Sequence, residues 1–228
     1  MDRCLTGITV PKAFGGPGCS VTTLVEALHR VAQVEPDRAR LLHGHYLFLQ
    51  VLAEQATLEQ QSYFFGEALA GACFAGVGPG FGGPDRGAGP QITLARWRNG
   101  VYRLDGESVC APGVLRNDWL VVPAVLVDEL AEPSDEPDEV FAVIRRDDLG
   151  VTHDGAVGSL WLDGVRVAPG CIVPYSTLFD RPTTYPERRK VTAQALNGRP
   201  LEELLGPAQA LDVAEQNRTP LAEASTGM

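Results

Sequence analysis

Between Gly71 and Pro90 the sequence reads GACFAGVGPGFGGPDRGAGP, and this stretch divides the chain into two parts with different folding rules. Glycine and proline at this density rule out a continuous helix or a regular central strand. Before the break, apolar residues recur at helical spacing. VTTLVEALHRVAQVE places Val21, Leu24, Val25, Leu28 and Val31 on one face, with Ser20 as the N-cap. Pro36 restarts the pattern, and PDRARLLHGHYLFLQVLAEQA is apolar on most faces, which predicts a buried helix. TLEQQSYFFGEALAG follows, with Thr57 and Gln60 spaced as a capping box. After the break, β-branched and alternating runs take over. QITLARWRN, VYRLDGES, WLVVPAVLV, VFAVIRR and SLWLDGVRVAP predict strands, and the pair Asn99-Gly100 predicts a hairpin.

LDGESVCAPG, residues 104–113, reads as a turn and the strand that leaves it. DELAEPSDEPDE reads as an exposed acidic loop. Beyond Pro182 the chain is polar. ERRKVTAQALNG and RPLEELLGPAQALDVAEQ could form helices but carry few large apolar residues, and the last ten residues are expected to be disordered. The fold class is therefore α+β with segregated elements. A partial helical domain spans 1–71, a β domain 72–181, and a polar tail, partly helical or disordered, 182–228.

Several function classes are excluded at this stage. The net charge of −10, with no basic stripe, argues against nucleic acid and against an anionic membrane surface. No run approaches the roughly 18 apolar residues of a membrane helix. The five cysteines (Cys4, Cys19, Cys73, Cys110, Cys171) show no ligand spacing, which argues against zinc. With no signal-peptide core at the start, they fit a reducing cytoplasm. GVGPGFGGPDRG has no following Lys and no helix start, so it is not a phosphate-binding P-loop.

Eight strings carry a resemblance: VPKAFGGPG, VEPDRARLLHGHYLFLQVL, QQSYFFGEALAG, GVYRLDGES, ND followed by WLVV, FAVIRRDDLGV, LDGVRVAPGCIVP and FDRPTT. In this order, over residues 7–184, they resemble the acyl-CoA dehydrogenase superfamily, and within it the flavin-dependent monooxygenase branch. The resemblance implies a helical part followed by an antiparallel, β-barrel-like middle domain. Against that family the earliest helices and the C-terminal four-helix bundle are expected to be absent. In the family a Gly-x-Lys-x-aromatic-x-Thr/Ser-Gly segment forms the floor under a flavin. Here Ser108 stands at the Lys position, Cys110 at the aromatic and Pro112 at the hydroxyl. Cys110 offers little stacking area, and Pro112 has neither hydroxyl nor N–H. The family's second floor segment is shortened, in THDGAVGSLWL. The expectation is that the chain binds no flavin, no other cofactor and no metal. A missing bundle would leave apolar surface bare around His45 and Tyr46. That implies a heteromer with a second chain supplying a helical-bundle-like domain, or self-dimerisation over the same patch.

The same resemblance supplies candidate residues. It places His45 at the substrate cavity; the alternative is a core histidine bonded to a backbone carbonyl. His43, two residues earlier, points elsewhere on a helix, and Tyr46 either packs or lines the cavity. Asp85 and Arg86, in the glycine-rich loop, are expected to line it as well. Ser108 and Cys110 share one strand face. Cys110 as a nucleophile needs a base and a lowered pKa; otherwise it is a small hydrophobe. Arg116 could meet an anionic group and Asp118 could act as a base or pair with Arg116, unless both belong to a surface turn.

On these residues the expected function is a flavin-independent, non-redox enzyme subunit acting on a small-molecule or carrier-bound amino substrate. The reaction would be an intramolecular cyclisation with loss of sulfate. His45 or Asp118 would be the base and Arg116 or Arg86 would meet the leaving group. A looser resemblance to the aziridine-forming subunits of azinomycin-type biosynthesis points the same way. Two alternatives stand beside it: a flavin-dependent oxidoreductase whose cofactor site a partner chain completes, and a non-catalytic scaffold subunit.

Overall fold

The computed structural model describes residues 3–78, 81, 92–97, 100–111, 113–127, 138–154, 158–175, 178 and 183–217, with the backbone alone for residues 3 and 4. The helical first part forms as its spacing predicts. A short α1 (Arg3–Thr6) precedes α2 (Val21–Val34), α3 (Pro36–Gln55) and α4 (Leu58–Leu69). The Ser20 side chain accepts from the Thr23 amide at the start of α2, and Pro36 opens α3, where a missing N–H costs nothing. The Thr57–Gln60 capping box is complete in both directions. Gln60 also donates to the Ile172 carbonyl at 2.7 Å, which ties α4 to the last strand.

Eight strands follow among the described residues: β1 (Phe74–Gly76), β2 (Thr93–Arg96), β3 (Tyr102–Val109), β4 (Trp119–Val127), β5 (Glu139–Arg145), β6 (Val151–Asp154), β7 (Ser159–Val167) and β8 (Ile172–Pro174). They form one sheet in the order β6-β7-β3-β2-β4-β5-β8, with β1 added on β4. The expected antiparallel, barrel-like domain is corrected here: the sheet is mixed and open. Both β1 and β2 run parallel to β4, and β6 and β8 are its two ends. On one edge of β4, β1 covers Trp119–Val121 and β2 covers Val125–Val127. Pro123, which has no N–H to donate, falls in the gap between them.

LDGES is not a turn. Leu104, Asp105 and Gly106 lie inside β3, where the register against β7 shifts between Leu104 and Gly106. Asp105 staples this irregularity by accepting from the Gly164 amide at 2.8 Å and from Arg103.

β4 and β5 are buried on both faces. Trp119, Val121, Phe141 and Val143 face the helices, and Leu120, Val122, Ala142 and Ile144 face a second apolar cluster with Leu104, Leu160, Leu162 and Val165. Strand alternation thus feeds two cores. The first is aromatic, with Phe48, Phe64, Phe74 and Trp119 packed edge to face or tilted.

After the sheet, α5 (Tyr185–Leu196) and α6 (Leu201–Gln216) fold back onto α2, and α5 also meets α3. They bury Tyr185, Val191, Ala195, Leu204, Ala208 and Leu211 in the helix-side core. Polar contacts hold them as well. Asp212 accepts from the Val21 amide at 2.6 Å, the Thr22 amide at 3.3 Å and the Thr22 hydroxyl at 2.6 Å, so a carboxylate from α6 caps the N-terminus of α2. Thr183 donates to Glu54, and Arg188 pairs with Glu215 at 3.3 Å. The surface around His45 and Tyr46 that was expected to be bare is covered by α1 and β1, through Leu5, Thr6 and Phe74, and both residues are buried.

Asp212→Ala removes the cap on α2 and is expected to destabilise the chain by about 1–2 kcal/mol. Urea unfolding should show a lower midpoint at unchanged slope, whereas Gln209→Ala, on the exposed side of α6, should stay within about 0.5 kcal/mol.

Candidate functional site

His45 projects from α3 into the protein interior. Its Nε2 lies 2.7 Å from the Thr6 carbonyl, and its Nδ1 accepts the Phe74 amide at 3.1 Å. The ring stacks on Phe74 at 5.7 Å. Both ring nitrogens are thus used by the backbone, one as donor and one as acceptor, which fixes a neutral tautomer. Burial lowers its pKa to about 4. This corrects the expectation of a base at the substrate cavity: His45 is the core histidine bonded to a backbone carbonyl. Tyr46, beside it, donates to the Leu5 carbonyl at 2.7 Å, and burial raises its pKa, so it packs. His43 points elsewhere, as expected. It meets the Thr192 hydroxyl at 2.9 Å on α5, and burial followed by the nearby Arg189 charge lowers its pKa to about 4.

Ser108 and Cys110 leave β3 toward a niche whose opposite wall is Gly78, just after β1. Gly78 has φ 92, and a Cβ there would come within 3.3 Å of the Ser108 hydroxyl. The Cys110 amide donates to the Gly158 carbonyl at 2.6 Å, and a side chain at Gly158 would strike the Cys110 carbonyl. Burial pushes the Cys110 thiol up to about 11, with a hydrogen bond from the Gly78 backbone acting the other way. The thiol is neutral near pH 7 and is no activated nucleophile. The niche is lined by backbone, a hydroxyl and a thiol, with no charge among these groups. Pro112, Asp85 and Arg86 lie outside the described residues.

Arg116 and Asp118 lie elsewhere. They line an open cleft of about 490 Å³ with Glu67, Ala70, Gly71, Ala72, Cys73, Asn117, Trp119 and Arg145. No residue of β3 contributes, so this cleft and the Gly78–Cys110 niche are separate places. Both Arg116 and Asp118 are exposed, and Asp118 faces Arg146 at 3.8 Å rather than Arg116. The structure therefore does not bring His45, Arg116 and Asp118 together. Trp119, Glu67 and Arg145 escaped the sequence reading, because Arg145 reaches Trp119 only through the β4–β5 register.

No protein-family model and no curated protein matches the sequence. Solved structures do share its fold. Dibenzothiophene monooxygenase TdsC from Paenibacillus sp. A11-2 matches with TM-score 0.68 and 20% identity, over 98% of this chain and 59% of its own. The same protein in complex with FMN and indole matches at 0.68 and 19%, over 84% and 51%. Methanesulfinate monooxygenase MsuC from Pseudomonas fluorescens gives 0.65 and 18%, over 85% and 50%. KijD3, in complex with FMN and a dTDP-amino-keto sugar, gives 0.65 and 18%, over 97% and 57%.

The chain thus has the fold of flavin-dependent monooxygenases of the acyl-CoA dehydrogenase-like type, and it spans between half and three-fifths of the length of the solved proteins it matches. This overturns the expectation of a flavin-independent, non-redox cyclase: among the proteins that share this fold, TdsC and KijD3 hold FMN, and TdsC and MsuC are monooxygenases. Among the described residues no helix is long and apolar enough to cross a membrane.

The histidines make a pH signature. An imidazole with its folded pKa near 4 and its unfolded pKa near 6.5 stays neutral when folded but protonates when unfolded. Its contribution is full above about pH 6.5 and is lost as the pH falls toward 4, at up to ~1.4 kcal/mol per pH unit. His43 acts in the same direction. Urea midpoints measured from pH 8 to 4 should fall below 6.5, and His45→Phe should flatten that slope by about one proton.

Proposed function

We propose that this chain is one part of a flavin-dependent oxidoreductase of the monooxygenase type, with the flavin lying against the Gly78–Ser108–Cys110 niche. The observation that carries this reading is the shared fold with FMN-bound TdsC and KijD3 over 84% and 97% of the chain. The niche fits one face of such a ring. Gly78 packs closely on this pair, with a Cβ there coming within 3.3 Å of the Ser108 hydroxyl, and Cys110 is small, neutral and held by Gly158. Ser108 supplies a hydroxyl that can donate to or accept from the polar edge of a flavin. When bound, the flavin supplies two-electron redox chemistry and, in a monooxygenase, the activation of dioxygen.

In this reading Ser108 and Cys110 give the cofactor a small, uncharged surface. They form a wall rather than a whole pocket. The fold-sharing proteins are nearly twice as long as the part this chain matches. We propose, as a separate reading, that a helical unit of a second chain supplies the remaining walls, with the substrate between the two parts.

FMN fluorescence titrated with the purified chain, alone and with any chain that co-purifies, tests this. Saturable quenching is expected, tighter in the complex. Ser108→Leu, which crowds the niche, should weaken it about tenfold or more with unchanged thermal unfolding. No saturable quenching in either preparation would reject the proposal.

A further inference from the structure

The open cleft at the end of α4 is not used by the flavin reading, and its parts are braced in an unusual way for an exposed surface. Trp119 begins β4. Its Nε1 donates to the Glu67 carboxylate at 3.3 Å, and the Arg145 guanidinium lies 3.9 Å over its ring. Tryptophan, carboxylate and arginine are thus locked together, with the indole as the middle member. The turn beside them is braced separately. The Asn117 amide is buried and donates to the Gly113 carbonyl at 2.9 Å and to the Val114 carbonyl at 3.1 Å. That turn carries Arg116, which is exposed and has no ion-pair partner among the described residues. Asp118, the other carboxylate of the cleft, is met by Arg146, which also donates to the Leu115 carbonyl at 3.3 Å.

The local charge differs from that of the chain. Against a net charge of −10 overall, the cleft lining balances two guanidinia, Arg116 and Arg145, with two carboxylates, Glu67 and Asp118, and Arg146 stands beside Asp118. Both carboxylates already have donors, Trp119 and Arg146. Arg145 is held over the indole and has no ion-pair partner among the described residues, which leaves its N–H groups for a ligand. Arg116 is held only through its backbone turn. A planar guanidinium fork matches the two oxygens of a carboxylate or phosphate, and a pre-positioned one loses little freedom on binding.

We propose that this cleft is a binding site for a small oxyanion-bearing ligand, with Arg116 and Arg145 as the two cationic contacts and Trp119 as the support that orients Arg145. It goes beyond the flavin reading and does not rest on it, because the cleft shares no residue with the niche. The shared chemistry is a carboxylate or phosphate group. No bond is made or broken there.

The test uses isothermal titration calorimetry on the whole chain with two probes, inorganic phosphate and succinate. Saturable one-site binding of either probe is expected; the probe that binds more tightly assigns the phosphate or the carboxylate source. Arg116→Gln should weaken it about tenfold or more, as loss of a charge-assisted contact does. Arg96→Gln, which removes an exposed arginine near Tyr102 on a different strand, should leave it unchanged. Arg145→Gln is expected to act like Arg116→Gln, and Arg116→Gln stands as the decisive variant if the loss of Arg145 unseats Trp119. The proposal is overturned if neither probe binds saturably, or if Arg116→Gln and Arg96→Gln weaken binding equally. FMN binding measured on Arg116→Gln should match that of the unaltered chain, so failure of one site is read independently of the other.

Discussion

A single neutral imidazole holds the helical and β parts of this protein in register. His45 donates to the carbonyl of Thr6 in α1 and accepts from the amide of Phe74 in β1, while its own backbone belongs to α3. Neither partner can be met by water, since the site is wholly buried. A buried amide or carbonyl left unpaired costs on the order of 1–3 kcal/mol, so the ring satisfies two obligations at once. Phe74 then sets the start of β1 against Trp119 of β4, and the aromatic cluster of Phe48, Phe64 and Trp119 closes around it. The position of Gly78 four residues on, and hence of the niche wall facing Ser108, follows from where that clamp fixes β1.

From this comes a division of labour across the sheet. One side of β4 and β5 is committed to the helices and the other to the β3–β7 half, so both faces are spent on packing. What remains for chemistry lies at strand ends. The niche sits where β3 ends and β1 leaves the sheet, and the charged cleft sits where β4 enters and β5 leaves. Each site is nonetheless rooted in a core, the cleft through Trp119 and the niche through Cys110.

Legibility followed sequence distance. Ser20 and the Thr57–Gln60 pair were readable because a cap and the amide that donates to it lie three residues apart. Long strands were readable from alternation. β1, β6 and β8 were not, because three or four residues carry no period and form only against distant partners. Gly106 suggested a turn by its residue type, whereas its strand neighbours across β7 absorb it as a bulge. α5 and α6 looked too polar to pack, since their anchoring comes from small apolar residues and from Asp212, whose partners lie about 190 residues away. The histidines show the same limit at the site. Spacing separated His43 from His45 correctly, but Thr6 and Phe74, which occupy the His45 nitrogens, are 39 and 29 residues distant. The cleft could not be read at all, because it needs the register that sets Arg145 opposite Trp119.

The cap that Asp212 places on α2 also orders events in time. Val21 leaves the ribosome 191 residues before its acceptor does. At ordinary elongation rates of 5–20 residues per second, that is a wait of about 10–40 s. During that interval the first amides of α2 have only Ser20 and water as partners, and the helix-side core lacks Tyr185, Leu204 and Leu211. The N-terminal helices therefore cannot settle as an early, self-sufficient unit during synthesis. Their final packing waits for α6 to arrive, so the helix-side core closes only after the whole sheet has been made.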